Sequence, residues 1–395
     1  MATSRHGLTQ SEPHRSGPVE PDAPARFAAR RAAFIAQLAS GSTETDQVAD
    51  VPHRPGPAVL ASLRGSSLPG TVIPRSHGGT GGDAVLANGV VAEVARHHPS
   101  LAIVLFQHLA VSGRITEWGT PRQRADLLPP LADGTWLAAS AWSEPGAGAN
   151  KRNISTTAVR QPDGSWLLTG EKNLATGAGL ADLYLILART GAGVGTSGSY
   201  GSTDQTFFLV RAGTDGLQTQ AGPELEGMRA SATGLVRLAG CRVDPQDVLG
   251  EIGGAARIIA GVRDSGVTLG AVSVGIAEAA YHLAAEHLTR AGGLADQVSR
   301  HRLVDLRVRV EAARAVVEHA GRRTGDDPGL VTLYSKIFAS VEAERVCRQA
   351  QGLLGSAGYL SSHPINQLAR DARAVALMGP TNDLCRELVS ASWQS

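Results

Sequence analysis

Two short loops of this sequence carry side chains suited to holding one side of a flat cofactor. In the first loop Ser143 precedes the glycine-rich turn 146–148, and in the second Thr176 follows the Gly-Glu-Lys sequence at 170–172. A flavin ring needs hydrogen-bond donors along its edge, and its pyrophosphate needs backbone that approaches closely, which glycine allows. Either loop alone is explained as well by an ordinary turn at the end of a strand. The two loops together predict one side of a flavin site.

These loops lie in a stretch whose apolar pattern is that of β-strands. Between Trp136 and Gly250, short segments alternate in polarity or run apolar between turns, as antiparallel strands do. On either side, apolar residues recur at spacings of three and four, which predicts helices; one long helical segment spans Arg257 to Leu288. The predicted units are a disordered tail at 1–25, an N-terminal α-domain at 26–135, a middle β-domain at 136–250 and a C-terminal helical bundle at 251–395.

The overall composition excludes several classes of protein. The chain of 395 residues has 37 basic and 36 acidic side chains and no run of lysine or arginine, so nucleic acid is not an expected partner. Its apolar stretches are too short to cross a bilayer, and its N-terminus lacks the apolar core of a secretory signal. Three cysteines without metal-ligand spacing favour neither a disulfide framework nor a metal site. We expect a protein of the reducing cytoplasm, and the abundance of Gly, Ala and Arg is typical of a bacterial source.

The stretch from residue 136 to 179 resembles the flavin-binding segment of the acyl-CoA dehydrogenase family. The motifs Glu-Pro-Gly-Ala-Gly and Gly-Glu-Lys-x-x-x-Thr match that family almost without gaps. Downstream, GMRASATGLVRL at 227–238 is similar to its next strand, and GLLGSAGYL at 352–360 is similar to its last helical region. The resemblance covers nearly the whole chain. It implies an α+β fold with an N-terminal helical domain, a middle antiparallel β-domain and a C-terminal four-helix bundle.

The resemblance also implies non-covalent FAD in a homodimer or homotetramer. In the family, the residue at Ser143 and the backbone around it face the flavin pyrimidine, and the residue at Thr176 hydrogen-bonds the flavin N5. Residues at the positions of Gln351, Gly355 and Ser356 meet the adenosine side of FAD from a neighbouring subunit. The positions expected to contact FAD are Trp142, Ser143, Gly148, Ala149, Leu174, Thr176, Gln351, Gly355, Ser356, Thr381 and Asn382.

The catalytic base of the family has no equivalent in this chain. Family dehydrogenases abstract the substrate α-proton with a glutamate, and the two positions where it occurs are occupied here by Gly379 and Ser265. Neither side chain accepts a carbon-bound proton at neutral pH. Asp264, beside the second position, Asp383 and His363 could serve as the base only if the geometry differs from the family's. Each is explained more simply, Asp264 and Asp383 as solvated helix charges and His363 as a loop polar group.

Other residues around the flavin-binding segment differ from the family as well. Leu174 stands where the family usually has a tryptophan before the threonine. Ala149 and Asn150 replace a Ser-Asp pair whose serine meets the pyrophosphate. The connection from Arg290 to Gln297 is short and lacks the Arg-x-x-Phe-Gly loop that reaches a partner's FAD. These changes predict weaker binding of FAD.

Three functions are compatible with this pattern. The first is α,β-dehydrogenation of an acyl thioester, on CoA or a carrier protein, with a base in a non-standard place. The second is a flavin-dependent monooxygenase on the same fold, which needs no α-proton base. The third is a non-catalytic subunit of a mixed assembly, although the retained Ser143 and Thr176 favour a chain that still binds FAD. We therefore expect an oxidoreductase acting on CH–CH donors that works with an electron-transfer partner or a flavin reductase.

Overall fold

The N-terminal part of the protein is helical. The computed structural model describes residues 23–40, 53–146, 154–191 and 204–393; residues 1–22 of the predicted tail lie outside these segments. Polar caps set the helix starts: the Asp83 carboxylate accepts the backbone N–H of Leu86, and Thr120 begins a capping box. The helices are α1 (Ala23–Ala39), α2 (Pro57–Gly65), α3 (Ala84–His97), α4 (Pro99–Trp118) and α5 (Pro121–Ala132).

The middle of the chain forms an eight-stranded sheet in the order β6-β7-β3-β2-β4-β5-β8, with β1 beside β4. Most neighbours are antiparallel, as predicted, but β4 runs parallel to both β1 and β2. The strands are β1 (Ala138–Ala141), β2 (Thr157–Arg160), β3 (Trp166–Ala175), β4 (Leu183–Arg189), β5 (Gln205–Arg211), β6 (Leu217–Ala221), β7 (Gly234–Val243) and β8 (Val248–Leu249).

The C-terminal part is a bundle in which α7, α8, α9 and α10 pack against one another. Their apolar faces share one core with α3 and α4, so the bundle and the N-terminal helices are joined. No helix in the described segments is long and apolar enough to span a membrane. The helices are α6 (Ala255–Asp264), α7 (Gly270–Arg290), α8 (Gln297–Arg322), α9 (Pro328–Leu354), α10 (Pro364–Leu377) and α11 (Asn382–Ala391).

The prediction of one long helix from Arg257 to Leu288 is wrong, because the helix is interrupted between α6 and α7. Gly266 at the break has φ +74°, and a Cβ there would lie 2.5 Å from the carbonyl oxygen of Ala320. Asn88 on α3 binds the broken backbone, donating to the Gly266 carbonyl at 2.9 Å and accepting from the Thr268 N–H at 3.0 Å. Tertiary contacts therefore override the helical period here.

Candidate functional site

A buried ion pair joins the Ser143 loop to the Gly-Glu-Lys segment, which the sequence predicts as a loop but which lies within strand β3. The Lys172 Nζ on β3 lies 2.6 Å from the Glu144 Oε1 in the loop after β1, and the two side chains are 0% and 1% exposed. The Glu144 carboxylate also accepts the Ser155 hydroxyl at 2.7 Å and the Thr156 backbone N–H at 3.1 Å. Burying two charges is tolerated when their remaining hydrogen-bonding capacity is used, as it is here.

This arrangement keeps Glu144 ionised. Burial alone would raise the pKa of its carboxyl, but the Lys172 ammonium and the hydrogen bonds lower the pKa to about 2. A carboxylate that is paired and this weakly basic is a poor acceptor for a carbon-bound proton. Glu144 and Lys172 therefore hold the loops rather than serve as acid and base.

The two loops also meet through backbone, and they leave buried polar atoms for a ligand. The Asn173 N–H donates to the Ser143 carbonyl at 2.9 Å. Beside Ser143, the indole of Trp142 packs on Phe207 with ring centroids 4.9 Å apart. Within the described segments, the Trp142 Nε1 and the Asn173 Oδ1 are buried without a hydrogen-bond partner. A flavin pyrimidine presents both carbonyl acceptors and an N–H donor, so a buried donor and a buried acceptor match its hydrogen-bonding groups in kind.

Thr176 lies directly after β3 and takes part in a row of three hydroxyl groups. Its Oγ1 is 3.3 Å from the Thr233 Oγ1, which in turn is 2.7 Å from the Ser231 Oγ. Thr176, Thr233 and Ser231 are 9%, 9% and 0% exposed, and the Gly177 N–H donates to the Ser231 carbonyl at 3.1 Å. Sequence reasoning placed Ser231 and Thr233 in a family strand and missed their hydroxyls. The signal was present as polar residues at alternate positions in an otherwise apolar stretch.

Leu174 lies between the ion pair and Thr176 in an irregular part of β3. Its φ of +50° is left-handed, and the register with β7 shifts between Lys172 and Ala175. A left-handed non-glycine residue costs about 1–3 kcal/mol and is often found at functional sites. The side chain is 54% exposed. Where the family usually has a tryptophan, this chain therefore presents a smaller apolar group at the surface.

The bundle holds the backbone that leads to the three hydroxyls. The Asp371 Oδ1 on α10 accepts the Met228 N–H at 2.6 Å and the Gln367 Nε2 at 2.8 Å. A Cβ at Gly227 would lie 2.3 Å from the carbonyl oxygen of Arg370, so this loop fits closely against α10. Burial raises the pKa of Asp371 to about 6, although these hydrogen bonds act in the opposite direction.

The other expected FAD contacts lie in the bundle or outside the described residues. Gln351, near the end of α9, donates to the Asn366 Oδ1 at 2.6 Å, and it is followed by Gly355 with φ +57° and the exposed Ser356. Gly148 and Ala149, with the neighbouring Asn150, lie outside the described residues. The structure holds one chain, so the expected contacts to a neighbouring subunit stay a prediction.

Thr381 and Asn382 use their side chains within the bundle. The Thr381 Oγ1 caps α11 by accepting the Leu384 N–H at 3.2 Å. Asn382 is buried and accepts the Lys336 Nζ at 2.7 Å. Burial lowers the pKa of Lys336 to about 8. These contacts fix the start of α11, and a role for either side chain in binding FAD stays a prediction.

The two positions at which the resemblance predicts the family's base lie on different elements. Gly379 is in the exposed turn between α10 and α11, and no described heavy atom lies within 4 Å of where its Cβ would be. Ser265 closes the last turn of α6, with its hydroxyl donating to the Val262 carbonyl at 2.7 Å. Asp264 is exposed, and its Oδ1 lies 2.6 Å from where a Cβ of Gly329 on α9 would be. Neither usual position carries a carboxylate, and Asp264 faces the first turn of α9.

Three domain models and several known proteins match this chain. The N-terminal, middle and C-terminal domain models of acyl-CoA dehydrogenases match residues 26–135, 139–241 and 253–393. A probable acyl-CoA dehydrogenase of Mycobacterium leprae is 30% identical over 370 residues, 91% of this chain and 92% of that protein. An acyl-CoA dehydrogenase of Bacillus subtilis is 29% identical over 332 residues, 82% of this chain and 86% of that protein. The solved butyryl-CoA dehydrogenase of Megasphaera elsdenii has a TM-score of 0.83 and 26% identity, covering 93% of this chain and 97% of that one.

Proposed function

Because the chain belongs to the acyl-CoA dehydrogenase family of FAD-dependent oxidoreductases, we propose that it dehydrogenates an acyl thioester between its α and β carbons, with a proton acceptor other than the usual glutamate. The acyl group is carried by CoA or by a carrier protein. One observation carries the proposal: the Glu144–Lys172 pair joins two loops that leave a buried donor and a buried acceptor, on Trp142 and Asn173, without partners among the described residues.

Different residues on this side of the site would contact different parts of FAD. The backbone at Ser143 and the Trp142 indole N–H would contact the pyrimidine of bound FAD, and the Thr176 hydroxyl would donate a hydrogen bond to the flavin. Bound FAD supplies the acceptor for the substrate β-hydride. The chain's own contribution is to orient the ring and to exclude water from its buried side. Gly379 and Ser265 have no group that accepts the α-proton, so another group must do so.

We also propose a cytoplasmic homodimer or homotetramer. Gln351, Gly355 and Ser356 are grouped at the end of α9, and they complete the adenosine end of the FAD site of a neighbouring subunit. The three cysteines, all within the described segments, are buried and unpaired, as expected in a reducing compartment. A separate electron-transfer protein reoxidises the enzyme after each turnover.

The visible spectrum of the purified chain tests the proposal. We expect a yellow protein whose FAD absorbance is bleached when an acyl-CoA is added without oxygen, and is not bleached by the matching free fatty acid. Straight and branched acyl-CoAs, and the same acyl groups on a carrier protein, would identify the substrate class. A chain that binds FAD but is bleached by none of these, and instead oxygenates a substrate when reduced flavin is supplied, would be a monooxygenase and would refute the proposal.

A further inference from the structure

We infer that Thr233 is a positioning residue that sets the direction of the Thr176 hydroxyl. The inference rests on the proposed function only in taking FAD as the group that Thr176 meets. The Ser231 Oγ, Thr233 Oγ1 and Thr176 Oγ1 follow one another at 2.7 and 3.3 Å, and all three residues are buried. Buried hydroxyl groups turn to satisfy their neighbours, so this row decides where the Thr176 proton points.

Because each of the three hydroxyl groups has one proton, the hydrogen bonds between them can be donated in either of two orders. Each hydroxyl has one proton to donate, so a Thr176 that donates to Thr233 has none left for a ligand. When Ser231 donates to Thr233 and Thr233 donates to Thr176, every link is made and the Thr176 proton is free to point outward. With the donors reversed, the last proton would lie on Ser231, which is 0% exposed and whose hydroxyl has no second acceptor among the described residues. The outward direction is therefore favoured whenever an acceptor lies in front of Thr176.

The backbone of Thr233 is held from two sides, so it cannot follow Thr176 if that side chain turns. The Ala232 N–H, at a left-handed φ of +50°, donates to the His53 carbonyl at 2.8 Å, which ties the loop to the N-terminal part of the chain. On the other side, the Asp371 carboxylate of α10 binds the Met228 N–H. Contacts with the segment before α2 and with α10 therefore fix the backbone around the group that orients Thr176.

Thr233→Val tests the inference, because valine keeps the shape of threonine and removes both hydrogen-bonding functions. Apoprotein would be titrated with FAD and followed by flavin fluorescence and visible circular dichroism. We expect Thr233→Val to raise the Kd for FAD about fivefold, the effect of losing one hydrogen bond, and to change the visible circular dichroism of bound FAD. Thr233→Ser, which keeps the hydroxyl, should restore both. Ser231→Ala should shift both in the same direction as Thr233→Val.

Thr190→Val is the matched control. The Thr190 Oγ1, directly after β4, lies 2.8 Å from the Thr206 Oγ1 of β5 and donates to the Asp204 carbonyl at 3.1 Å, and neither contact includes Thr176. This variant loses a comparable hydrogen bond and should bind FAD as the wild type does. An unchanged Kd and spectrum in both Thr233→Val and Ser231→Ala would refute the inference, and so would an equal change in Thr190→Val. A wild type that binds FAD but is not bleached by any acyl thioester would refute the proposed function alone, and the Thr233 comparison would still decide the inference.

Discussion

The Lys172 Nζ lies 2.6 Å from the Glu144 Oε1 in a pair that solvent does not reach. The pair spans 28 residues of sequence and joins the loop that contains Ser143 to the strand that leads to Thr176. The charges of Glu144 and Lys172 therefore bind each other, and the groups beside them that we propose for the cofactor are the Thr176 hydroxyl, the backbone at Ser143 and the neutral side chains of Trp142 and Asn173. A flavin site built in this way depends on the pair for the distance between its two loops.

Removing one partner of this pair should destabilise the protein strongly. Glu144→Gln leaves the Lys172 ammonium buried without its carboxylate, and such a change costs about 3–5 kcal/mol of the free energy of unfolding. Urea unfolding at pH 7 measures the loss, and titration of the refolded apoprotein with FAD should show weaker binding. Arg242→Gln is the control, because it breaks the exposed Arg242–Asp163 pair of the same domain. A Glu144→Gln variant as stable as Arg242→Gln would contradict a structural role for the buried pair.

The two segments predicted to contact the flavin could be identified from the sequence because their signals are local. Ser143 and Thr176 each lie in a short motif, and a resemblance to a family can be judged from such motifs. Asp371 and Thr233 were not assigned roles, because their contacts join residues far apart in the chain.

The fold, too, was predicted where it depends on local sequence and was missed where it depends on residues far apart in the chain. Strand and helix periods predicted the three-part order of the chain. The break between α6 and α7 was missed, because it depends on the Ala320 carbonyl and the Asn88 side chain, which come from other helices. The partners of Glu144 also could not be read from the sequence, since Lys172 and Thr156 meet it only after the sheet has formed.

Gly379→Glu should add a base at the position where the resemblance to the family places its glutamate. The position is exposed, and a Cβ there meets no heavy atom of the described residues within 4 Å. A positioned general base contributes about 10²–10⁴-fold, and because the proposed enzyme already has another proton acceptor, that factor is the upper limit for the rise in the rate at which an acyl-CoA bleaches its FAD. Anaerobic stopped-flow absorbance measures the rate. Gly379→Gln is the matched control and should leave it unchanged; equal rates in wild type, Gln and Glu variants would mean that residue 379 does not reach the substrate.

Asp264→Asn should leave turnover unchanged. The Asp264 side chain is exposed, and its Oδ1 faces the first turn of α9 at Gly329. A base must come within hydrogen-bond reach of the proton that it removes, and an exposed carboxylate directed at another helix does not meet that condition here. Steady-state kcat and KM with the substrate found by bleaching provide the measurement. A fall in kcat of a hundredfold or more, with FAD binding intact, would identify Asp264 as the missing base after all.

Asp371 should make the stability of the protein depend on pH between about 4 and 6. Burial raises the pKa of its carboxyl from 3.8 to about 6, so in this range the folded protein holds a proton that the unfolded chain has released. The free energy of unfolding therefore falls as pH rises from 4 to 6, by about 3 kcal/mol, and this contribution is constant above pH 6.

Asp371→Asn removes the titration and keeps an oxygen that accepts the Met228 N–H. The measurement is the free energy of urea unfolding of wild type minus that of Asp371→Asn, at intervals from pH 4 to 8. Subtraction cancels Glu144, whose lowered pKa makes both proteins lose stability as pH falls from 4.5 towards 2. The difference should be largest at pH 4 and decrease to a constant value above pH 6. A difference that instead grows with pH would mean that the hydrogen bonds from Met228 and Gln367 to the ionised carboxylate outweigh its burial.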